Sequence, residues 1–165
     1  MRQCRSMAAT STRATKALDA LGVEYQIHTY EVDTEVGGGY GEAVAAAIGM
    51  PAERVFKTLV AEADGQGVVA IIPVSMRLST KSLAKAAGTK RCALAAPEVA
   101  ERLTGYVVGG VSPFGQRRQL PTFIDDSVSA HPGVAVSGGR RGLQLEVSPQ
   151  DLLAVTDGTL ARLTA

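Results

Sequence analysis

The chain has no tryptophan, and only three phenylalanines and four tyrosines among its 165 residues. A core of that size must be filled with Ala, Val, Leu and Ile, with few large rings to anchor it. Cysteine is as scarce. Cys4 and Cys92 stand in no metal-ligating or redox spacing, which excludes a disulfide framework and favours a reducing, cytoplasmic setting. The two histidines, His28 and His131, form no His-Glu-x-x-His motif. Any Ser–His or Cys–His pair would have to use one of them. His28 falls on the polar side of an expected strand and His131 precedes Pro132 in a turn, so both read as surface residues. No apolar run approaches the roughly 20 residues that span a bilayer, and no apolar stretch follows Arg2 and Arg5 as a secretory signal requires. The net charge of +1 gives no global basic field. Contacts to a polyanion would have to come from the local pairs Lys90-Arg91, Arg117-Arg118 and Arg140-Arg141. Walker, Gly-x-Ser-x-Gly and post-strand Gly-x-Gly-x-x-Gly motifs are absent, so neither a metal nor a nucleotide cofactor is expected.

What the chain has in quantity is glycine, 18 residues of it, at the places where periodic segments stop. Residues 1–10 carry no pattern and read as a disordered leader, with Met7 a candidate start; residues 11–165 read as one domain. Ser11 or Thr12 caps a helix running to Leu21. Apolar–polar alternation over 23–30 predicts a half-buried strand. Residues 31–39, ending in three glycines, read as a mobile loop. A short helix over 42–48 follows, then strands over 55–63 and 67–74 joined across Asp64-Gly65. Ser79 or Thr80 caps a helix over 81–87, a short strand covers 91–94, and Pro97 opens a helix to Leu103. Strands are expected over 122–125, 134–137 and 142–147, and Ser148-Pro149 opens a last helix through Val155, before a frayed tail. The irregular alternation predicts a mixed α/β (α+β) fold, with a partly closed, barrel-like sheet flanked by helices.

Three stretches offer chemistry. In 105–115, Tyr106-Val107-Val108 reads as the end of a buried strand. Gly109-Gly110, Pro113 and Gly115 then make a tight loop whose amides can point at one spot, as an anion or oxyanion receptor does. Alone it would be a plain turn. A second such loop, Ser137-Gly138-Gly139-Arg140-Arg141-Gly142, suggests a pocket for a phosphorylated or carboxylated group. The third stretch is Lys57, set in the apolar run Val55-Phe56-Lys57-Thr58-Leu59-Val60. An edge-strand lysine that blocks aggregation is the plain explanation; a pocket lysine that holds a negative group is the sharper one. Thr58 is expected on the opposite face of the strand.

Read together, Phe56-Lys57-Thr58-Leu59, the 105–116 segment, Val136–Leu143, His28-Thr29-Tyr30 upstream and Pro149-Gln150-Asp151-Leu152 downstream resemble, in order and spacing, the YbaK/EbsC-type Cys-tRNA(Pro) deacylases. These are relatives of the editing domain inserted in bacterial prolyl-tRNA synthetases, and the likeness runs from about Thr12 to about Leu153. The resemblance implies the fold of that family and trans-editing: removal of cysteine mischarged onto proline tRNA. A pocket discriminates poorly between side chains of similar size. In the family the substrate's own thiol is held to attack the ester carbonyl, which would explain the missing protein nucleophile. Carried over, Lys57 matches the key lysine, positioning the tRNA 3′ end or the aminoacyl group. Gly109 and Gly110 match the loop that would hold the terminal ribose or carbonyl oxygen. Tyr30, Tyr40, Thr58 and Ser137 match pocket-lining positions, and Ser112, Pro113, Gly138 and Gly139 belong to the two loops. Arg140 and Arg141 would sit near phosphate. Tyr40 stands where relatives often carry Phe. The implied partners are the aminoacyl-tRNA 3′ end and, transiently, prolyl-tRNA synthetase. Two alternatives stay open: editing of another ester such as Ala-tRNA(Pro) by water attack, and a non-catalytic binding module.

Overall fold

Helix boundaries fall where the capping residues put them. In a computed structural model, which describes residues 10–31 and 39–165, Thr12 and Thr15 form a reciprocal capping box that starts α1 (Arg13–Ala20). Helix α2 is Tyr40–Ile48. Ser79 Oγ accepts from the Ser82 amide at 3.1 Å and starts α3 (Thr80–Ala87). Pro97 occupies the first turn of α4 (Pro97–Thr104). Ser148, accepting from the Asp151 amide, starts α5 (Pro149–Thr156). The expected leader and 31–39 loop lie, apart from Thr10, Glu31 and Gly39, outside the described residues.

The strands form two sheets. β1 (Gln26–Thr29), β7 (Leu143–Val147) and β6 (Val134–Ser137) make a three-stranded antiparallel sheet in the order β1-β7-β6. The second sheet runs β4 (Cys92–Leu94), β2 (Phe56–Ala63), β3 (Gln66–Pro73), β5 (Thr122–Asp125), β8 (Thr159–Ala161). β2 pairs antiparallel with β3 and β4, while β3–β5 and β5–β8 are parallel. The β2–β3 hairpin turns at Asp64 (φ 47°) and Gly65 (φ 84°), the left-handed pair that a two-residue hairpin needs. The mixed α/β expectation is met, but the sheet is not one partly closed barrel. The two sheets touch through an isolated parallel bridge, Val55 to Ala135, and do not close on one another.

Between the sheets lies the main core. Phe56, Val60, Val69, Ile71 and Ile124 from one sheet meet Val134, Val136, Leu143, Leu145 and Val147 from the other, with Leu18 of α1 and Leu152 of α5 closing the ends. The outer face of the five-stranded sheet packs Ala61, Val68, Ala70 and Ile72 on Leu83 of α3. β3 is thus buried on both faces, which accounts for its unbroken apolar run. Among the described residues no helix is long and apolar enough to cross a membrane.

Two expectations give way. The strand over 23–30 shrinks to four residues at a sheet edge, and Ile27 is exposed rather than inward. The tail is not frayed. β8 pairs with β5, Leu163 is fully buried, and its amide donates to Asp125 Oδ1 at 2.9 Å. Asp125, itself buried, also accepts from Ser127 Oγ at 2.6 Å and from the Ser127 amide. Asp125→Ala leaves the buried Leu163 amide without its partner, worth about 1–3 kcal/mol. Its thermal midpoint is expected to fall by roughly 5–10 °C in calorimetry, with Ser127→Ala falling by less.

Candidate functional site

Beyond the Val55–Ala135 bridge, β2 and β6 separate, and the gap becomes a cavity of about 290 Å³ lined by Phe56 to Val60 and by Ser137. That volume is at the lower end of small-molecule sites, near 300 Å³. Tyr40, Gly41 and Val44 of α2 form another wall, Leu94, Ala95 and Pro97 a third, and Val108, Gly109 and Val111 close it from the glycine loop.

One wall is a strand edge. β4 covers β2 only over Ala61–Ala63, followed by the Ala95 amide on the Val60 carbonyl at 3.0 Å. Peptide groups in an antiparallel strand face alternate edges. The Val55 carbonyl accepts from Val74 on the β3 side, at 2.8 Å, so Thr58 turns its N–H and C=O the other way, to the uncovered edge. Lys57 and Thr58 occupy opposite strand faces, yet both line the cavity, because it wraps around that edge. The Lys57 ammonium has a pKa below the ordinary lysine value. Burial is the main cause, the nearby Arg77 adds to it, and Glu42 opposes it.

The loop after α4 is held by Tyr106, buried under it, whose hydroxyl donates to the Phe114 carbonyl. Burial pushes the Tyr106 pKa up to about 12, so the hydroxyl keeps its proton. Gly109 (φ 95°) packs so tightly on Arg141 that an added Cβ would lie 2.4 Å from Nε. A Cβ on Gly110 would lie 2.7 Å from the Arg140 Cα. The two glycine loops are therefore in backbone contact. The Arg141 guanidinium sits 5.6 Å from the centre of the Tyr40 ring. Burial, with the neighbouring Tyr30 hydroxyl adding to it, raises the Tyr40 pKa to about 12. Gln144 Nε2 donates to Tyr30 Oη at 3.4 Å.

Among the described residues, the cavity is lined by one desolvated lysine, an open strand edge and the glycine loop, with no carboxylate. The sequence profile of the aminoacyl-tRNA editing domain matches residues 39–155, which include every cavity residue named above. The chain belongs to that family. It is an ester-cleaving aminoacyl-tRNA deacylase. A relative from Enterococcus faecalis provisionally named Cys-tRNA(Pro)/Cys-tRNA(Cys) deacylase EbsC is 40% identical over 124 residues, 74% of this chain and 76% of its own. The Multifunctional Ser/Thr-tRNA deacylase ProXp-y of Escherichia coli K12 is 29% identical over 120 residues, 70% of this chain and 69% of its own. A crystal structure provisionally described as a trans-editing enzyme for prolyl tRNA synthetase superposes with a TM-score of 0.78 at 25% identity, covering 93% of this chain and 95% of that one.

Within this editing domain Lys57, Thr58, Gly109, Tyr40 and Ser137 come together around the cavity. Other expected residues do not line it. Ser112 is buried, and its Oγ accepts from the Phe114 amide. Pro113 faces a separate depression beside Leu21 and Phe114. The Gly110 amide donates to the Val107 carbonyl at 2.9 Å, whereas the Gly109 N–H has no acceptor among the described residues. The Gly138 carbonyl accepts from Thr12 Oγ1, and the Gly139 amide donates to Ser137 Oγ. Tyr30 and Arg141 stand behind the lining, in contact with Gln144 and Tyr40 respectively. Residues 106–108 are not a strand end: Val107 is 71% exposed and only Tyr106 turns inward, because the loop reverses immediately after α4. His28, 2.9 Å from Glu146 Oε1, belongs to a surface cluster with Arg54.

Gln144 was not singled out by its sequence. Its one signal is a lone amide between Leu143 and Leu145, opposite Ser137 in the β6–β7 register. The loop contacts predict unequal costs for two glycines. Gly110→Ala meets backbone and is expected to force the loops apart, lowering both thermal midpoint and activity. Gly109→Ala meets the movable end of Arg141 but carries left-handed strain of about 1–3 kcal/mol. Paired thermal melts and deacylation rates check the ranking.

Proposed function

We propose that the enzyme clears cysteine from mischarged Cys-tRNA(Pro), and that the substrate's own thiol is the nucleophile. The observation that carries the reading is the cavity's equipment. Among the described residues the cavity is lined by a lysine and by the glycine loop, which can stabilise charge, and by no histidine, cysteine or carboxylate that could serve as base or nucleophile. The identity with EbsC supports cysteine as the amino acid.

In the proposed step the cysteinyl sulfur, as thiolate, bonds to the ester carbonyl carbon. The carbonyl oxygen carries the developing negative charge and faces the Gly109 N–H and the Lys57 ammonium. The bond to the terminal ribose oxygen breaks, that oxygen takes up a proton, and free tRNA leaves with a cysteine thiolactone. Holding thiol and carbonyl together in a small cavity supplies the entropic advantage of an intramolecular attack, and the fixed donors supply electrostatic stabilisation. The tRNA 3′ end is the proposed ligand. Prolyl-tRNA synthetase is the proposed transient partner, holding the rest of a tRNA for which a chain of net charge +1 has little global attraction. A cytoplasmic site of action goes with this substrate. Water attack on an ester without a thiol is the second reading, favoured by the likeness to a Ser/Thr-tRNA deacylase.

Side-by-side deacylation of Cys-tRNA(Pro), Ser-tRNA and Ala-tRNA(Pro) separates the two. Thiol attack predicts that the serine and alanine esters react at least about a hundredfold more slowly; similar rates for all three would establish water attack. Lys57→Met removes a desolvated ammonium while keeping the stem. It is expected to abolish activity without lowering the thermal midpoint.

The pH profile supplies a further test. If the charged lysine is needed, the rate declines on the alkaline side below the ordinary lysine range. Arg77 holds the Lys57 pKa down and Glu42 holds it up. Arg77→Gln is therefore expected to move the decline to higher pH and Glu42→Gln to lower pH, in single-turnover rates corrected for spontaneous ester hydrolysis.

A further inference from the structure

Two polar side-chain atoms are buried without a hydrogen-bond partner among the described residues, Thr58 Oγ1 and Gln144 Oε1. Both residues line the same cavity. Leaving a buried polar atom unsatisfied is costly, about 1–3 kcal/mol each, and such atoms in a functional cavity mark where a ligand completes the bonding. Gln144 is only 6% exposed. Its Nε2 donates to Tyr30 Oη at 3.4 Å, which leaves Oε1 as the atom without a partner among the described residues. That oxygen can only accept. The Thr58 carbonyl, on the uncovered edge of β2, is a further acceptor at the same wall.

We infer that Gln144 Oε1 and Thr58 Oγ1 hold the α-ammonium group of the aminoacyl moiety. The assignment rests on the deacylase reading for what the cavity binds. Neutral acceptors suit an ammonium, which brings three donors and a positive charge and needs no lone pair satisfied. The position is also electrostatically consistent. Lys57 lies on the opposite face of β2 from Thr58, so the cavity has an anion-holding end and an ammonium-holding end, with the ester carbonyl between them. Tyr30 acts as a positioning residue, because its hydroxyl accepts from the Gln144 amide nitrogen. A consequence follows for substrate choice: an ester whose α-amine is acylated loses the contact and crowds the acceptors, so the site selects free aminoacyl-tRNA over N-acylated forms.

The test uses two uncleavable probes, 3′-cysteinylamido-3′-deoxyadenosine and its counterpart lacking the α-amine, 3-mercaptopropionylamido-3′-deoxyadenosine, titrated calorimetrically into the full chain. The wild type is expected to prefer the amine-bearing probe by about tenfold or more. In Gln144→Leu the preference should fall to within about twofold, with binding of the desamino probe unchanged. Gln144→Glu, which offers only acceptors, should retain or widen the preference; a flipped amide that donates into the cavity would instead make this variant fail. Thermal melts of both variants establish that they fold. Equal binding of the two probes by wild type, a preference that survives in Gln144→Leu, or no binding of either probe overturns the assignment. The cleavage assay is separate. An enzyme that shows the amine preference but cleaves no ester keeps this inference and loses the functional reading.

Discussion

The site depends on the place where two strands stop running together. Val55 and Ala135 form a single parallel bridge between the sheets, and past it β2 continues into one sheet while β6 continues into the other. An interior that would otherwise pack shut is left with a gap, and one side of that gap is a strand edge that no other strand covers among the described residues. Such edges are normally covered or blunted. Here the edge is turned inward, walled by α2 and the glycine loop, so its polar groups face a cavity instead of another protein chain. Lys57 and Thr58 reach the same cavity only because it wraps around an edge; a flat sheet face could have used one of them alone.

The second constraint is the close approach of the two glycine loops. Gly110 lies against the backbone of Arg140, and Gly109 lies under the Arg141 side chain, which itself leans on Tyr40. Pieces of chain far apart in sequence are locked into one wall. The arginine pair that looked like a phosphate contact is in part a structural brace. The cation–π contact contributes about 0.5–1 kcal/mol at a site this open, less than its role in fixing Tyr40 suggests.

Much of this was legible beforehand, and the reasons are local. Capping by Thr12, Ser79 and Ser148, proline at the first turn, and the Asp64-Gly65 turn are chemistry within a few residues, and they placed the helices and the central hairpin correctly. Lys57 stood out because a cation in an apolar run needs a reason. What failed was non-local. Nothing within 105–110 distinguishes a strand end from a loop whose apolar residues, Val107 and Val108, are left exposed. The tail looked loose because its anchor, Asp125, is 38 residues away from Leu163. Splitting of the sheet at Val55 and Ala135 is likewise invisible to periodicity, since both halves alternate normally. Gln144 was missed because a polar residue on one strand face is ordinary; only the absence of a partner for its oxygen among the described residues gives it meaning, and that appears in three dimensions alone.

The central claim is that the aminoacyl end of the substrate occupies the gap beside the β2 edge. Amide chemical shifts recorded while an uncleavable aminoacyl-adenosine analogue is titrated into the isotopically labelled chain test it most directly. The account predicts the largest shifts at the amides of Thr58, Gly109 and Ser137, with the surface around His28 and Glu146 unmoved. Saturable shifts concentrated at that surface, or anywhere else with Thr58 and Gly109 unchanged, would contradict it.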